Sequence, residues 1–453
     1  MPKLTVEELE RKAKAGEIED VIVGASNLQG RLFGKRMPVS YFMEEGKKGV
    51  ACTVANITWD IAKNLDLEPY PIGGWHTGFH DIVLVPDLAT LRPFPWNEKT
   101  AIVLADICDE EGHLVSVAPR SVLRRQLEKA RSMGFEVCTA SELEFFIFRE
   151  TPDSAHAKGF TNLEPLFKTI GDYDIYRTSI DEWFFGPLRR NLNLADIPVE
   201  AQKGEWGYGQ MEINLRYSEA LEQADRHTLY KEAVKIAAAQ QGLLATFMAK
   251  WSDDSGNGLH VHISLWRDGQ NVFYDPNGKY GLSDLGRHFL GGLMHLVKDL
   301  FLFTAPNPNS YKRYVYKSFA PTNNTWGWDN RNVCFRLAGS HSSKRIEYRA
   351  PGADANPYLV MAAMLGAGLY GIEHRLEPIG EPVVMANAYD KADAEPLPKN
   401  LVEAIEHFAA SRAAKEILGE DVVEHYLVMA RNELAEYFRH VTDWERKRYL
   451  ELI

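Results

Sequence analysis

The chain is predicted to fold as an α+β protein with a small N-terminal sheet domain and a larger second domain, on three observations. Residues 15–110 alternate short β-type runs (Val21-Ile22-Val23, Ile82-Val83-Leu84-Val85, Ala101-Ile102-Val103-Leu104) with turns rich in Gly and Pro. Further on, helical stretches over 225–241, 283–304, 356–375 and 401–410 are separated by strand-like segments and do not repeat as βαβ units. At 453 residues the chain is also longer than one small core requires.

Taken in order, Thr5-Val6-Glu7-Glu8 reads as a capping box that opens the first helix. The charged turn Asp109-Glu110-Glu111-Gly112 closes the sheet domain. Pro119 then starts a helix to about Met133, with Gly134 as its C-cap. The domains are therefore expected over residues 1–112 and 113–453. The longest apolar stretch, Tyr358 to Ile372, is too short to span a bilayer and reads as a buried helix, so no membrane partner is expected. A net charge of -12 excludes general nucleic-acid binding, which needs a basic face. Four scattered cysteines without a CxxC pair, and a start lacking a signal peptide, point to the reducing cytoplasm.

Function is carried by strands with one polar face. In Ser141-Glu142-Leu143-Glu144-Phe145-Phe146-Ile147, a period of two puts Glu142 and Glu144 together, opposite Leu143, Phe145 and Ile147. Glu212 and Asn214 likewise oppose Met211, Ile213 and Leu215, and Glu205 lies just upstream across a turn containing Gly207 and Gly209. His260, His262 and Ser264 share one face of the next such strand, and Arg345-Ile346-Glu347-Tyr348-Arg349 alternates again. A single ExE or HxH strand is ordinarily a solvated face or a structural pair. In one sheet, however, Glu142, Glu144, Glu205, Glu212 and Glu347 would crowd beside His260. Charges so placed must be paired or coordinated. About two divalent ions would neutralise most of them, and oxygen-rich donors suit Mg²⁺ or Mn²⁺ better than zinc. Arg313, Arg331, Arg336, Arg345 and Arg349 supply the cations that phosphoryl transfer uses.

At these residues the sequence resembles the glutamine synthetase superfamily. The matching motifs are SELEFFIF, GQME with Glu205 seven residues before Glu212, GNGLHVHISLW, NSYKR followed by NR, and KRIEYRAPGADANPYLVMAAMLGAGL. The resemblance implies one metal on Glu144, Glu205 and Glu212 and a second on Glu142, His260 and Glu347, both Mg²⁺ or Mn²⁺. It implies that Arg313, Arg349 and the Gly256 backbone hold the amino-acid substrate, and that Arg331 acts on the transferring phosphoryl group. It places His262, Ser264 and Arg336 at the nucleotide, with ATP as co-substrate. It further implies a β-grasp-like N-terminal domain, a catalytic domain on a curved antiparallel sheet flanked by helices, and a ring oligomer, commonly a dodecamer.

Three departures cluster on the acceptor side. Where that family has a glutamate before Ala-Pro to bind ammonium and take its proton, this chain has Phe319. Ser255 stands where the family usually has asparagine, and the N-terminal aspartate of the ammonium site is matched only weakly, by Asp60. Phe319, with Tyr314, Tyr316, Trp326 and Trp328 nearby in sequence, points to a less polar amine pocket. The expected activity is a γ-glutamyl-amine ligase using a primary amine other than ammonia. Its alternatives are an ordinary glutamine synthetase and an inactive scaffold of the same fold.

Overall fold

A computed structural model describes residues 3–65 and 68–453. The chain opens with the helix Val6–Lys14, whose Thr5 and Glu8 form the expected reciprocal cap. Six strands follow: β1 Asp20–Ser26, β2 Leu32–Pro38, β3 Val50–Thr53, β4 Asp81–Pro86, β5 Arg92–Pro93 and β6 Thr100–Cys108. They form a sheet in the order β2-β1-β6-β4-β3, with β5 also on β6. The central pair, β1 and β6, is parallel, which is why both are deeply buried and dense in Val, Ile and Leu.

The second sheet has ten strands: β7 Glu136–Phe148, β8 Val199–Gly204, β9 Gln210–Leu215, β10 Ser218–Glu219, β11 Leu244–Thr246, β12 Leu259–Arg267, β13 Gln270–Asn271, β14 Trp326–Trp328, β15 Phe335–Ala338 and β16 Arg345–Tyr348. Its main path runs β14-β15-β16-β12-β7-β9-β8. All of it is antiparallel except the parallel edge pair β14 and β15. Along β7 buried and partly open residues alternate from Val137 to Phe145, the signature of a sheet with one apolar and one polar face.

Helices cover the apolar face. The predicted buried helix is Pro357–His374, begun by the Asn356 side chain and ended at Arg375 with φ +49°. It packs on the helices Asp284–Leu296, Pro119–Ser132 and Ala220–Gln240. At the first crossing a Cβ on Gly292 would lie 2.1 Å from the Ala367 carbonyl oxygen, and one on Gly371 2.3 Å from that of His288, so only glycine lets the backbones meet. Two boundaries differ from expectation. The helix predicted from 225 starts at Ala220, because the Glu219 carboxylate caps the amides of Leu221 and Glu222. The stretch 283–304 breaks into Asp284–Leu296 and Phe301–Thr304. Among the described residues no helix is long and apolar enough to cross a membrane.

The first sheet is tied to the helix layer of the second by a buried guanidinium. Arg120 donates to both Asp225 oxygens at 3.0 and 2.9 Å, to Asp106 of β6 at 2.5 Å and to Asp87, just past β4, at 2.8 Å. Tyr358 donates to the same Asp225 at 2.6 Å. Removing one member of such a group strands the others in low dielectric. Asp225→Ala should therefore lower unfolding free energy by about 3 kcal/mol in urea titrations; a loss under about 1 kcal/mol would show that Asp106 and Asp87 suffice.

Candidate active site

Strand register turns the shared face into a site. Antiparallel pairing sets His260 opposite Glu142, Glu144 opposite Glu212, and His262 opposite Glu347. Arg336 of β15 then lies opposite Glu347 from the other side. Glu205 enters from the turn between β8 and β9, after Gly204.

The carboxylates fall into two groups. Ligand atoms of Glu144, Glu205 and Glu212 lie within 4.8 Å of one another, as do those of Glu142, His262 and Glu347. His260 belongs with the second group too, its Nδ1 being 3.0 Å from Glu142 and 3.7 Å from Glu347. His262 Nε2 is 3.0 Å from the other Glu142 oxygen. Both imidazoles thus reach the carboxylates, where the resemblance gave a metal role to His260 alone.

Electrostatics distinguishes the groups. In the first, burial and the Glu205 charge push Glu144 up to about 7, and burial with Glu142 and Glu205 drives Glu212 well above the carboxylate range. Three carboxyl groups this close form a donor set suited to a hard divalent cation. In the second, burial would raise Glu142, but hydrogen bonds from His260 and His262 outweigh it and hold it well below that range. Glu347, 0% exposed, is likewise opposed by burial yet brought down to about 2 by Arg349 and the two imidazoles. Burial and Arg349 take His260 down to about 4, so it is a neutral donor or ligand at pH 7.

The arginines divide by depth. Arg336 donates to Glu347 at 2.7 Å, and Arg349 pairs with the other Glu347 oxygen. Arg349 Nε also donates to the Arg331 carbonyl at 3.1 Å, while Arg331 itself is exposed on the loop. Arg313 is buried and donates to the carbonyls of Ala350 at 2.6 Å and Arg349 at 3.2 Å. Around Gly258 these parts converge: a Cβ there would meet Arg313 Nη2, Glu144 Oε1 and His260 Nε2, each at 3.2 Å. Gly256 is equally confined, its would-be Cβ 2.7 Å from Arg313 Cγ. Ser264 lies farther along the β12 face, where it accepts from the Trp266 indole at 2.9 Å.

With this geometry in view, similarity to known proteins decides the lineage. The glutamine synthetase catalytic domain matches residues 116–449. The chain belongs to the glutamine synthetase family. Among the family's members, a gamma-glutamylethanolamide synthetase from Streptomyces coelicolor is 41% identical, aligned over 99% of this chain and 96% of that one. A glutamate–isopropylamine ligase from Pseudomonas is 38% identical over 96% of each, and a glutamine synthetase from Thermotoga maritima is 31% identical over 99% and 100%. The solved structure of a GmaS–ADP complex superposes with a TM-score of 0.85 at 30% identity, covering 98% of this chain and 99% of that one.

Two residues of this family member's acidic face escaped the sequence reading. Lys203 of β8 pairs with Glu205 and lies 3.2 Å from Asp172; burial would weaken its charge, but Glu205 and Glu212 overcome this and raise its pKa. It places an internal cation beside the Glu144 group. Alternation along Lys203-Gly204-Glu205 was the available signal. Gln210, buried on β9, donates to Glu144 at 3.1 Å and to the Gly256 carbonyl at 2.9 Å, while the Gly258 amide donates to Glu144 at 2.7 Å.

The loop that carries Phe319 is exposed. Phe319 is 58% exposed with φ +60°, and Lys317 shares that left-handed conformation. Of the four aromatics expected around it, Tyr316 is the exposed one. Tyr314 packs on Phe301 and donates to Ala350, and Trp326 and Trp328 of β14 stack toward Tyr280, so these three line the core and sheet edge, not an open pocket. Tyr316 donates to Asp390 at 3.0 Å and Tyr389 to the Ala320 carbonyl at 2.9 Å, pinning both ends of the loop to residues 388–390. Asp60, the weak match for the ammonium-site aspartate, spends one oxygen on the amides of Ala62 and Asn64 in its own turn.

Proposed function

We propose that this protein is an ATP-dependent carbon–nitrogen ligase that joins the side-chain carboxylate of L-glutamate to a primary amine other than ammonia, through γ-glutamyl phosphate. The carrying observation is the pairing of two acidic groups on one sheet face with a loop that exposes Phe319. The relatives named for organic amines, at 38–41% identity over nearly the whole chain, support the same acceptor class.

In this reading Glu144, Glu205 and Glu212 hold one divalent ion and Glu142, Glu347 and His260 or His262 hold another. Mg²⁺ or Mn²⁺ fits an oxygen-rich set, and when bound neutralises charge on the transferred phosphoryl group. Arg313, Arg349 and the Gly256 backbone orient glutamate near Gly258. His262, Ser264 and Arg336 line the nucleotide side, and Arg331, exposed on its loop, offsets charge on the phosphoryl oxygens. The carboxylate becomes a competent electrophile only once an oxygen can leave as phosphate, after which the amine attacks the acyl carbon. Phe319 accepts no proton, so it favours an amine already neutral or one that gives its proton to solvent.

Steady-state ADP release with glutamate, ATP and a panel of ammonium, ethanolamine, isopropylamine, a polyamine and an aromatic amine tests the proposal. At least one organic amine is expected to exceed ammonium in kcat/KM by about tenfold or more; ammonium ahead of every organic amine would overturn it. Metal binding supplies a second check. Burial and neighbouring carboxylates push Glu144 up to about 7 and Glu212 well above the carboxylate range, and both must lose their protons to ligate, so metal affinity should rise with pH through the neutral range. Calorimetry in buffers of differing ionisation enthalpy should register proton release on metal binding near pH 6, and none would contradict the protonated acids.

We also propose a cytoplasmic ring oligomer, commonly twelve subunits in this family. The exposed apolar residues Trp444, Leu450 and Leu452 near the C-terminus support self-association, and light scattering measures it.

A further inference from the structure

The register of β8 brings a cation to the Glu144 group. Past the bulge between Val199 and Ala201, Lys203 lies opposite Glu212 of β9, and Glu212 lies opposite Glu144 of β7. Residues directly opposite in a ladder share a face, so Lys203 projects on the side of the three carboxylates. Its ammonium pairs with Glu205, and among the described residues this is the one salt bridge made to Glu144, Glu205 or Glu212. Arg313, which also comes close to Glu144, gives its two Nη atoms to the carbonyls of Ala350 and Arg349.

Lys203 is also held from its other side. Asp172 Oδ1 lies 3.2 Å from its Nζ, and the Tyr173 ring centroid 4.5 Å. The segment bearing these two is fastened to the chain around Glu205: the Gly171 amide donates to the Glu205 carbonyl at 3.2 Å, and Asp172 bridges to Gly204. A Cβ on Gly204 would lie 2.2 Å from the Gly171 carbonyl oxygen, so only glycine admits so close a crossing. The side chains of Lys203 and Glu205 are 21% and 14% exposed, deep enough to escape much of the screening by salt. Two carboxylates and an aromatic face around one ammonium fix its place more firmly than a solvated surface pair does.

Three carboxylates whose oxygens lie within 4.8 Å of one another would, unopposed, hold a multivalent cation more tightly the higher its charge. An ammonium resting on one of them repels the incoming ion, and repels a trivalent ion more than a divalent one. On the metal assignment given above, we propose that Lys203 is a positioning residue of the Glu144 ion position: held by Asp172 and Tyr173, it orients Glu205 and offsets its charge. The group then binds divalent ions more weakly than its carboxylates alone would, and discriminates against trivalent ones. Asp172 sets the strength of this effect, because it draws the ammonium away from Glu205.

The full-length protein, without nucleotide, is titrated with Mn²⁺ in a calorimeter, the relevant phase being the one that Glu144→Gln abolishes. In Lys203→Met that phase should tighten about tenfold, while terbium luminescence shows affinity for Tb³⁺ rising about a hundredfold. Lys203→Arg keeps the charge and should stay within about threefold of the parent for both ions. Asp172→Asn should act in the opposite sense, weakening Mn²⁺ about threefold as the ammonium settles on Glu205. A merely structural role would loosen binding in both variants. Asp172 is partly exposed, so its variant serves if Lys203→Met folds poorly. Mn²⁺ binding unchanged or weaker in Lys203→Met, unchanged in Asp172→Asn, or tightened as much in Lys203→Arg as in Lys203→Met overturns the proposal and leaves the metal assignment standing. A parent protein with no Glu144-dependent phase would overturn the metal assignment, and the role of Lys203 with it.

Discussion

Glu347→Gln should reduce kcat/KM for ligation by about a thousandfold, some 4 kcal/mol of transition-state stabilisation. Glu347 is fully buried, and Arg336 and Arg349 meet on its two oxygens. Glutamine keeps the shape but removes the charge, so two guanidiniums lose a common partner while one proposed metal position loses its deepest acid. A buried pair broken on one side is costly because the survivor stays desolvated. The variant should also melt earlier than the parent. Initial rates of ADP formation and a thermal melt on the same preparation read both effects, and activity within about fivefold of the parent would show that Glu347 is only a tether for the arginines.

Phe319→Glu is expected to reverse the acceptor preference. A carboxylate at this exposed loop position can attract a small cation and take its proton, while a bulky apolar amine loses its ring contact. The ratio of kcat/KM for ammonium to that for the best organic amine should rise about a hundredfold, close to 2.7 kcal/mol. The backbone is no obstacle, since Phe319 already carries the cost of its positive φ and glutamate would carry much the same. An unchanged ratio would mean that selection of the amine lies elsewhere, with Tyr316 and its anchor Asp390 the next places to look.

The polar face was legible because β-strand alternation is rigid. Once Leu143, Phe145 and Ile147 are assigned inward, Glu142 and Glu144 have one direction left, and the structure keeps them there. Register was not legible, since no local rule says that His260 faces Glu142 and His262 faces Glu347 across strands 118 and 85 residues apart in sequence. That is why both imidazoles reach Glu142 where one was anticipated. Lys203 was missed for a related reason: a bulge between Val199 and Ala201 sets the phase of β8, and with it which residues join Glu205. The helix Glu182–Leu194 went unread because Gly186-Pro187 in its middle looks like a break, yet the helix runs on through Pro187. Trp326 and Trp328 misled through adjacency alone, for closeness in sequence to Phe319 did not bring them to the loop.

The period of two along β7 and β12 also governs how such a protein can change. Adding or deleting a single residue within either strand would exchange its two faces, driving carboxylates into the helix layer and exposing leucine and phenylalanine to water. Residues 315–319 carry no strand pairing, and between the anchors at Tyr314 and Ala320 their exposed side chains can change with little effect on the sheet. On the proposed reading the fold keeps phosphoryl chemistry in its least editable part and amine choice in one of its most editable, which would make this loop the practical place to engineer new amide products.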